Sequence, residues 1–321
     1  MSEGYKPPFT MTEEITNLVI DIAEMTGMIA LTDNLSKNPT LRRENRIHSI
    51  HSSLAIERNS LTIDQVSDVI GGKRVLGPPK DIREVQNAYD MLVKLNPYSI
   101  SDLLTAHKIM MLDLVKEAGI FRSGGVGVYA GEDIIHAGTL PQYVPDLISE
   151  LFQWLQESTL HPLIKSCIFH YEFEFIHPFA DGNGQTGRMW HTLILAKWKE
   201  LFLWLPIETL IYEQQEDYYG AINVANMDGE STVFVKFMLE IIKQTLTELT
   251  QNVAKDGKKD NESVQDKLLA LLIGDNKISA KSAAEKLDMS ERQIQRLLKT
   301  MKDDGIIERS GSNRNGTWNV L

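Results

Sequence analysis

Apolar residues recur at three- and four-residue intervals over most of the 321-residue chain, the spacing of helices that bury one face. Ile15, Leu18, Ile22, Met25 and Ile29 mark the first, over residues 13–31, with Thr12 as its N-cap. After Pro39 a basic helix carries Arg42, Arg43, Arg46 and His48 and runs into residues 50–59. A short helix over 61–70 is capped by Thr62 and ended by Gly71-Gly72. The turn at Pro78-Pro79 precedes another helix, through Ile82, Val85, Ala88, Tyr89 and Leu92. Ser101 is placed as the cap of a helix through Leu104, His107, Met110 and Met111. Helical spacing returns at Val144, Leu147, Leu151, Phe152 and Leu155, over 163–176, from about Thr186, and as a last pair over 218–242.

Two stretches break this period. Between Gly119 and Gly138, six glycines interleave with Val126, Val128, Tyr129, Ile134 and Ile135, which predicts a β-hairpin with Gly131-Glu132-Asp133 near its tip. Residues 252–261 are polar and without period, and read as a linker. Beyond it, residues 264–273, a segment capped by Ser279 and one capped by Ser290 predict three helices. A strand from Gly305, a polar turn over 310–316 and a strand over 317–320 complete a winged helix-turn-helix. The expected organisation is mainly α: an N-terminal helical region over 1–98, a core over 99–250, a linker over 251–261 and a small domain over 262–321. No internal repeat is visible.

Composition narrows the classes. With 42% hydrophobic residues the chain can bury a large core. A formal charge of −11 argues against a generic nucleic-acid binder, although from Lys258 onward 12 Lys/Arg face 10 Asp/Glu, a balance of +2. The single cysteine, Cys167, allows no internal disulfide and fits a reducing, cytoplasmic setting. The first residues show no secretion signal. The most apolar run, 189–205, is interrupted by His191, Lys197, Lys199 and Glu200 and reads as a buried helix, with no membrane partner expected.

The chemistry concentrates in residues 170–188, HYEFEFIHPFADGNGQTGR. His177 ends an apolar segment, and an imidazole titrating near neutrality suits removal of a proton from an attacking hydroxyl. Asp181 is a single carboxylate, enough for Mg²⁺ when phosphate oxygens and water complete the shell. Gly182 and Gly184 let backbone N–H groups turn toward an anion, ahead of a helix N-terminus. Asn183 offers an amide to a phosphate oxygen, and Arg188 a fork for a terminal phosphate. His170 reads as structural.

Residues 177–188 resemble the signature of the Fic (filamentation induced by cAMP) family, His-Pro-Phe-x-Asp/Glu-Gly-Asn-Gly-Arg-x-x-Arg, and depart from it at Gln185, where the first arginine is expected. The resemblance spans roughly residues 53–238. It implies a helical Fic core with a small β-hairpin flap, and transfer of AMP from ATP to a Ser, Thr or Tyr hydroxyl of a target protein. It further implies nucleotide contacts along Asp181, Gly182, Asn183, Gly184, Gln185, Thr186, Gly187 and Arg188, with Asp181 on Mg²⁺. Tyr218, Tyr219 and Asn226 match adenine-pocket positions, and the hairpin ending near His136 matches the flap that registers the target by strand addition. Ser53 and Glu57, in SLAIERN, are similar to the family's inhibitory helix, whose glutamate pairs with the second signature arginine, here Arg188. Arg58 stands where that motif has Gly or Asn. Gln185 lacks the charge of an arginine, so nucleotide affinity or donor choice is expected to differ.

Alternatives at this point are removal of AMP, another phosphate-linked group transfer, or a nucleotide-sensing DNA-binding regulator. Arg292, Gln293, Gln295, Arg296 and Lys299, with Arg314 on the wing, are the candidate DNA contacts, and a protein partner for this unit is equally open. A homodimer is compatible with the sequence.

Overall fold

The computed structural model describes residues 5–32, 39–90, 95–125, 127–130, 133–137, 139–256, 264–311 and 316–320. The chain begins with helices α1 (Glu13–Thr32), α2 (Pro39–Ile56), α3 (Ile63–Ile70), α4 (Pro79–Asp90) and α5 (Ile100–Met110). A hairpin of β1 (Gly127–Ala130) and β2 (Asp133–Ala137) leads to α6 (Val144–Glu157), α7 (Pro162–Ile176) and α8 (Asn183–Trp198). Next come α9 (Ile207–Glu213), α10 (Gln215–Asp228) and α11 (Thr232–Asp256). Last are α12 (Val264–Gly274), α13 (Ala280–Leu287), α14 (Glu291–Asp303), β3 (Ile307–Ser310) and β4 (Thr317–Val320).

The fold is built around α7. Every residue from 163 to 173 is buried, so this mostly apolar helix lies inside the bundle, with Lys165, Ser166, His170 and Glu172 buried along it. One flank packs with Ile22, Phe234 and Met238 from α1 and α11. The other packs with Leu103, Phe152 and Trp190 from α5, α6 and α8. Helices α2, α3 and α4 form a smaller cluster around Leu54, Val66 and Val85. The C-terminal unit has its own core, with Leu268, Ile294, Ile307 and Trp318 packed together.

Local chemistry explains most boundaries. Thr62 and Gln65 exchange bonds in a capping box on α3, Ser279 caps α13, and Ser290 makes a second box with Gln293 on α14. Pro79 occupies the first turn of α4, where its missing N–H costs nothing. Ser99, not Ser101, caps α5: its backbone is extended and its hydroxyl accepts from the Asp102 N–H. The apolar run 189–205 is not one helix, because Lys199 is extended and a 3₁₀ turn, Glu200–Trp204, follows. Helix α11 continues to Asp256, since no Gly or Pro intervenes before Gly257; the rest of the expected linker lies outside the described residues, as do Leu92, Gly131-Glu132 and residues 312–315 of the wing turn.

Strands β1 and β2 pair antiparallel, Val128 opposite His136, with a register shift between Val128 and Tyr129. Strands β3 and β4 pair antiparallel, Arg309 opposite Trp318. Among the described residues no helix is long and apolar enough to cross a membrane.

Candidate active site

The site is assembled where α7 ends and α8 begins. Helix α7 stops at Ile176, and His177 takes the left-handed conformation, φ 53° and ψ 63°, that turns the chain out of the helix. A non-glycine residue pays for that conformation, and its neighbours hold it there. Arg122, 3% exposed, donates Nε to the His177 carbonyl at 2.6 Å and its backbone N–H to the Pro178 carbonyl at 3.0 Å. The same guanidinium donates to the carbonyls of Gly124 (2.9 Å) and Thr139, which flank the hairpin. One buried arginine thus ties the hairpin to the turn that bears the candidate base. His177 is half-buried, its Nδ1 3.4 Å from the Glu174 carbonyl.

The loop that follows closes on itself. The Asn183 side chain accepts from the Phe179 N–H at 2.8 Å and donates to the Phe179 carbonyl at 2.9 Å. The side chain thus closes the loop with its oxygen and one amide N–H, beside the phosphate contact expected of its amide. Helix α8 consequently starts at Asn183, three residues before the expected Thr186. Thr186 also turns inward, its hydroxyl donating to the Gly182 carbonyl at 2.7 Å. Gly182 has φ +78°, a conformation that favours glycine, and a Cβ there would have to displace the end of the Met111 side chain.

His107, fully buried, supports this loop from α5. Its Nδ1 accepts the Gly119 N–H at 2.8 Å, so Nε2 carries the proton and donates to the Asp181 carbonyl at 2.9 Å. Its ring stacks on Phe179 at 3.6 Å and 6°. Burial lowers its pKa, against a smaller opposing pull from Asp181, which keeps it neutral. Asp181 itself is exposed, with Oδ1 accepting the Gly182 N–H at 2.8 Å. Among the described residues no cluster of three His, Cys, Asp or Glu could cage a metal.

Arg188 is the centre of charge. It is 2% exposed; Nε donates to Ser53 Oγ at 3.2 Å, and Nη2 to the Ser53 carbonyl and to Glu57 Oε1, both at 2.9 Å. The expected pairing with Glu57 is a single bond, and two more go to Ser53. Burial alone would lower the guanidinium's pKa, but Glu57 beside it, with Tyr218 and Glu174, holds it above the ordinary value. Glu57 reaches across the N-terminus of α8: a Cβ on Gly184 would sit 2.2 Å from its Oε1. A carboxylate there occupies the position that the free N–H groups and helix dipole offer to an anion.

The end of α2 presents Glu57. Arg58 has φ +69°, with its N–H bonded to the Ala55 carbonyl, while the Asn59 N–H reaches the Leu54 carbonyl at 3.0 Å. That is a Schellman cap, whose left-handed position favours Gly or Asn; it explains why those residues fit the motif where this chain has Arg. The Asn59 amide donates to the Asp81 carbonyl and to Glu84, pinning the cap to α4.

Behind Arg188 lies a buried polar group. Tyr218, 1% exposed, pairs its hydroxyl with His170 Nε2 at 3.1 Å, and Glu174 Oε1 lies 3.9 Å from that nitrogen with no hydrogen-bond partner. Burial pushes the Glu174 carboxyl up to about 8, against the pull of Arg188, and holds His170 well below its usual value. Gly187 faces this cluster: a Cβ there would meet Glu174 Oε1 at 2.5 Å, which makes it a helix-packing glycine. Tyr219 is 43% exposed beside Tyr218, and the Asn226 amide oxygen accepts from Tyr171 at 3.0 Å. The structure thus brings Ser53, Glu57, Gly184, Arg188 and Tyr218 together, while Thr186 and Gly187 point into structural contacts. Gln185 is buried on another face of α8. Arg122 lies in the Phe121-Arg122 pair to which the family resemblance extends, but its clamp, like the bond from His107 to Asp181, joins segments tens of residues apart and is not readable from the sequence.

Comparison with known proteins agrees with this geometry. The Fic/DOC family model matches residues 97–195, and a winged helix-turn-helix DNA-binding model matches 266–308. Protein adenylyltransferase fic-1 of Caenorhabditis elegans is 29% identical over 215 residues, 62% of this chain and 40% of that protein. Protein adenylyltransferase Fic of Drosophila melanogaster is 28% identical over 235 residues, 68% of this chain and 45% of its own length. The chain therefore spans less than half the length of these curated relatives. A solved structure of C. elegans Fic-1, residues 134–508, shares the fold at 22% identity with a TM-score of 0.61, over 76% of this chain and 73% of that one. A crystal structure of a Fic family protein from Desulfovibrio desulfuricans is 41% identical, with a TM-score of 0.75, and covers 99% of this chain and 98% of that one. With both chains matched almost end to end at that identity, and with its signature at the junction of α7 and α8, this chain belongs to the Fic family.

Proposed function

We propose that this protein is a protein adenylyltransferase that moves AMP from ATP to a Ser, Thr or Tyr hydroxyl, and that Glu57 holds it inactive. The observation that carries the reading is the Glu57–Arg188 contact, 2.9 Å, across the N-terminus of α8. The relatives bearing the name adenylyltransferase support the reaction class.

His177 takes the proton of the target hydroxyl. The tautomer protonated at Nδ1, facing the Glu174 carbonyl, leaves Nε2 as the acceptor. The hydroxyl oxygen then bonds to the α-phosphorus as the bond to the β-phosphate oxygen breaks, and pyrophosphate leaves with that electron pair. Backbone N–H groups at the start of α8 and the Arg188 guanidinium hold the phosphates, with Tyr218, Tyr219 and Asn226 on the adenine side. Asp181, a lone exposed carboxylate, fits Mg²⁺ shared with the nucleotide; bound there, the ion supplies charge neutralisation at the phosphates. The hairpin offers a strand edge for the target segment. In the C-terminal unit Arg292, Gln295, Arg296 and Lys299 are exposed on α14 and make duplex DNA its candidate partner. Gln293 is exposed beside them and gives its Oε1 to the Ser290 cap, which leaves its amide N–H groups to a partner.

The test is transfer of label from α-³²P-ATP to protein. Glu57→Gly is expected to raise labelling about tenfold or more, the scale of one buried charge-assisted contact, and His177→Ala to abolish it. Labelling that stays at the wild-type level in Glu57→Gly would refute the brake.

A further inference from the structure

Gln185, the one departure from the family signature, does not point at the phosphate side. It is 8% exposed; its side chain makes no hydrogen bond among the described residues, and its amide atoms keep contact with solvent. Instead it lines a cavity of about 180 Å³ between α2 and α8. That is on the scale of the roughly 150 Å³ that holds one benzene, although this pocket opens to solvent on one side. An amide that opens onto this pocket and bonds no protein group is available to an occupant in exchange for water.

The walls say what that would be. Ile50, Leu54, Met110, Met189, Leu193 and Leu203 make most of the lining apolar. Arg46, half-buried at the rim, stacks 4.2 Å over the Tyr89 ring and donates to the Tyr89 carbonyl, with no carboxylate in ion-pair contact among the described residues. Burial lowers its pKa, against smaller opposing pulls from Tyr89 and Asp90. The one acid in the wall, Glu208, already accepts from Ser49 at 2.9 Å and Thr192 at 3.4 Å, and burial favours its neutral form. The cavity therefore presents two kinds of donor, guanidinium and amide, beside an apolar chamber the size of one ring.

We propose that this cavity is an effector site for a small, ring-sized apolar carboxylate, bound by Arg46 and Gln185. Its walls come from both α2 and α8, so an occupant binds best when α2 is seated, and by linkage it holds α2 seated. Ser53 lines the same cavity and accepts two bonds from Arg188. Occupancy thus reinforces the contact through which Glu57 blocks the site. That consequence rests on the proposed Glu57 brake; the binding itself does not.

Phenylacetate is the probe, titrated calorimetrically into the full chain, with benzyl alcohol as the uncharged control. Saturable one-to-one binding is expected, weakened about tenfold by Arg46→Met and by the control, the scale of one charge-assisted contact. Leu193→Trp, which fills the chamber, is expected to abolish it. Amide hydrogen exchange along α2 should slow several-fold with probe bound, and label transfer should fall in wild type but not in Glu57→Gly. Absence of saturable binding to wild type, or binding untouched by both Arg46→Met and Leu193→Trp, overturns the site. If phenylacetate binds as described while Glu57→Gly gains no activity, the brake fails and the site stands.

Discussion

At the scale of single residues, two positions sit against their intrinsic preferences. Arg58 is held at φ +69° by the cap that presents Glu57, and a side chain in that region costs on the order of 1–2 kcal/mol. Glycine removes the strain but adds freedom to the unfolded chain, so Arg58→Gly is expected to stabilise by about 0.5–1 kcal/mol net. An unchanged or lowered melting temperature would count against the strained cap. Glu174 is the second: burial raises its folded pKa to about 8 from 4.5. The unfolded chain loses this proton first, so stability is full below about pH 4.5 and falls as pH rises toward 8. Glu174→Gln removes that slope. The variant should gain on wild type across the window, by an amount on the order of 2–4 kcal/mol at pH 8, and parallel melting curves from pH 5 to 8 would rule the assignment out.

At the scale of elements, the junctions matter more than the helices. Arg122 bonds to carbonyls on both sides of the hairpin and to the turn at His177. Replacing it with Met removes bonds to the carbonyls of His177, Gly124, Thr139 and Ile176, most of them part-buried, at roughly 1 kcal/mol each. The expected result is a loss of at least about 3 kcal/mol in denaturant midpoint terms, with early proteolysis in the hairpin. A midpoint within error of wild type would mean that the clamp is dispensable. Helix periodicity was readable along most of the chain because burial imposes it, as at Ile15 and Ile22 of α1. The start of α8 and the cap of α5 were misplaced by two or three residues. Those ends depend on which side chain finds a backbone partner: Asn183 on Phe179, and Ser99 on Asp102.

At the scale of the whole molecule, the C-terminal unit carries its own core and an exposed basic helix face. If α14 lies in a DNA groove, affinity for a duplex should fall steeply between 50 and 200 mM salt, by a slope near −0.9 per phosphate contacted. Arg296→Ala should shallow that slope by about one unit if the arginine meets a phosphate. A flat salt response would instead point to a protein partner for the wing.

The sequence alone determined the helical class, the hairpin, the winged helix and the cluster from His177 to Arg188. Each of these is a local pattern, set by burial period, turn residues or contiguous motif chemistry. Tertiary structure alone decided which chemistry each side chain has left to offer. Asn183 closes a loop, Gly187 packs a helix and Gln185 faces a cavity, although all three lie within one short signature. Only the fold carries Glu57 across 131 positions to Arg188, and only it shows that Arg122 and His107 hold the site together. Contacts between distant segments leave no period in the chain, because they depend on where whole helices come to rest.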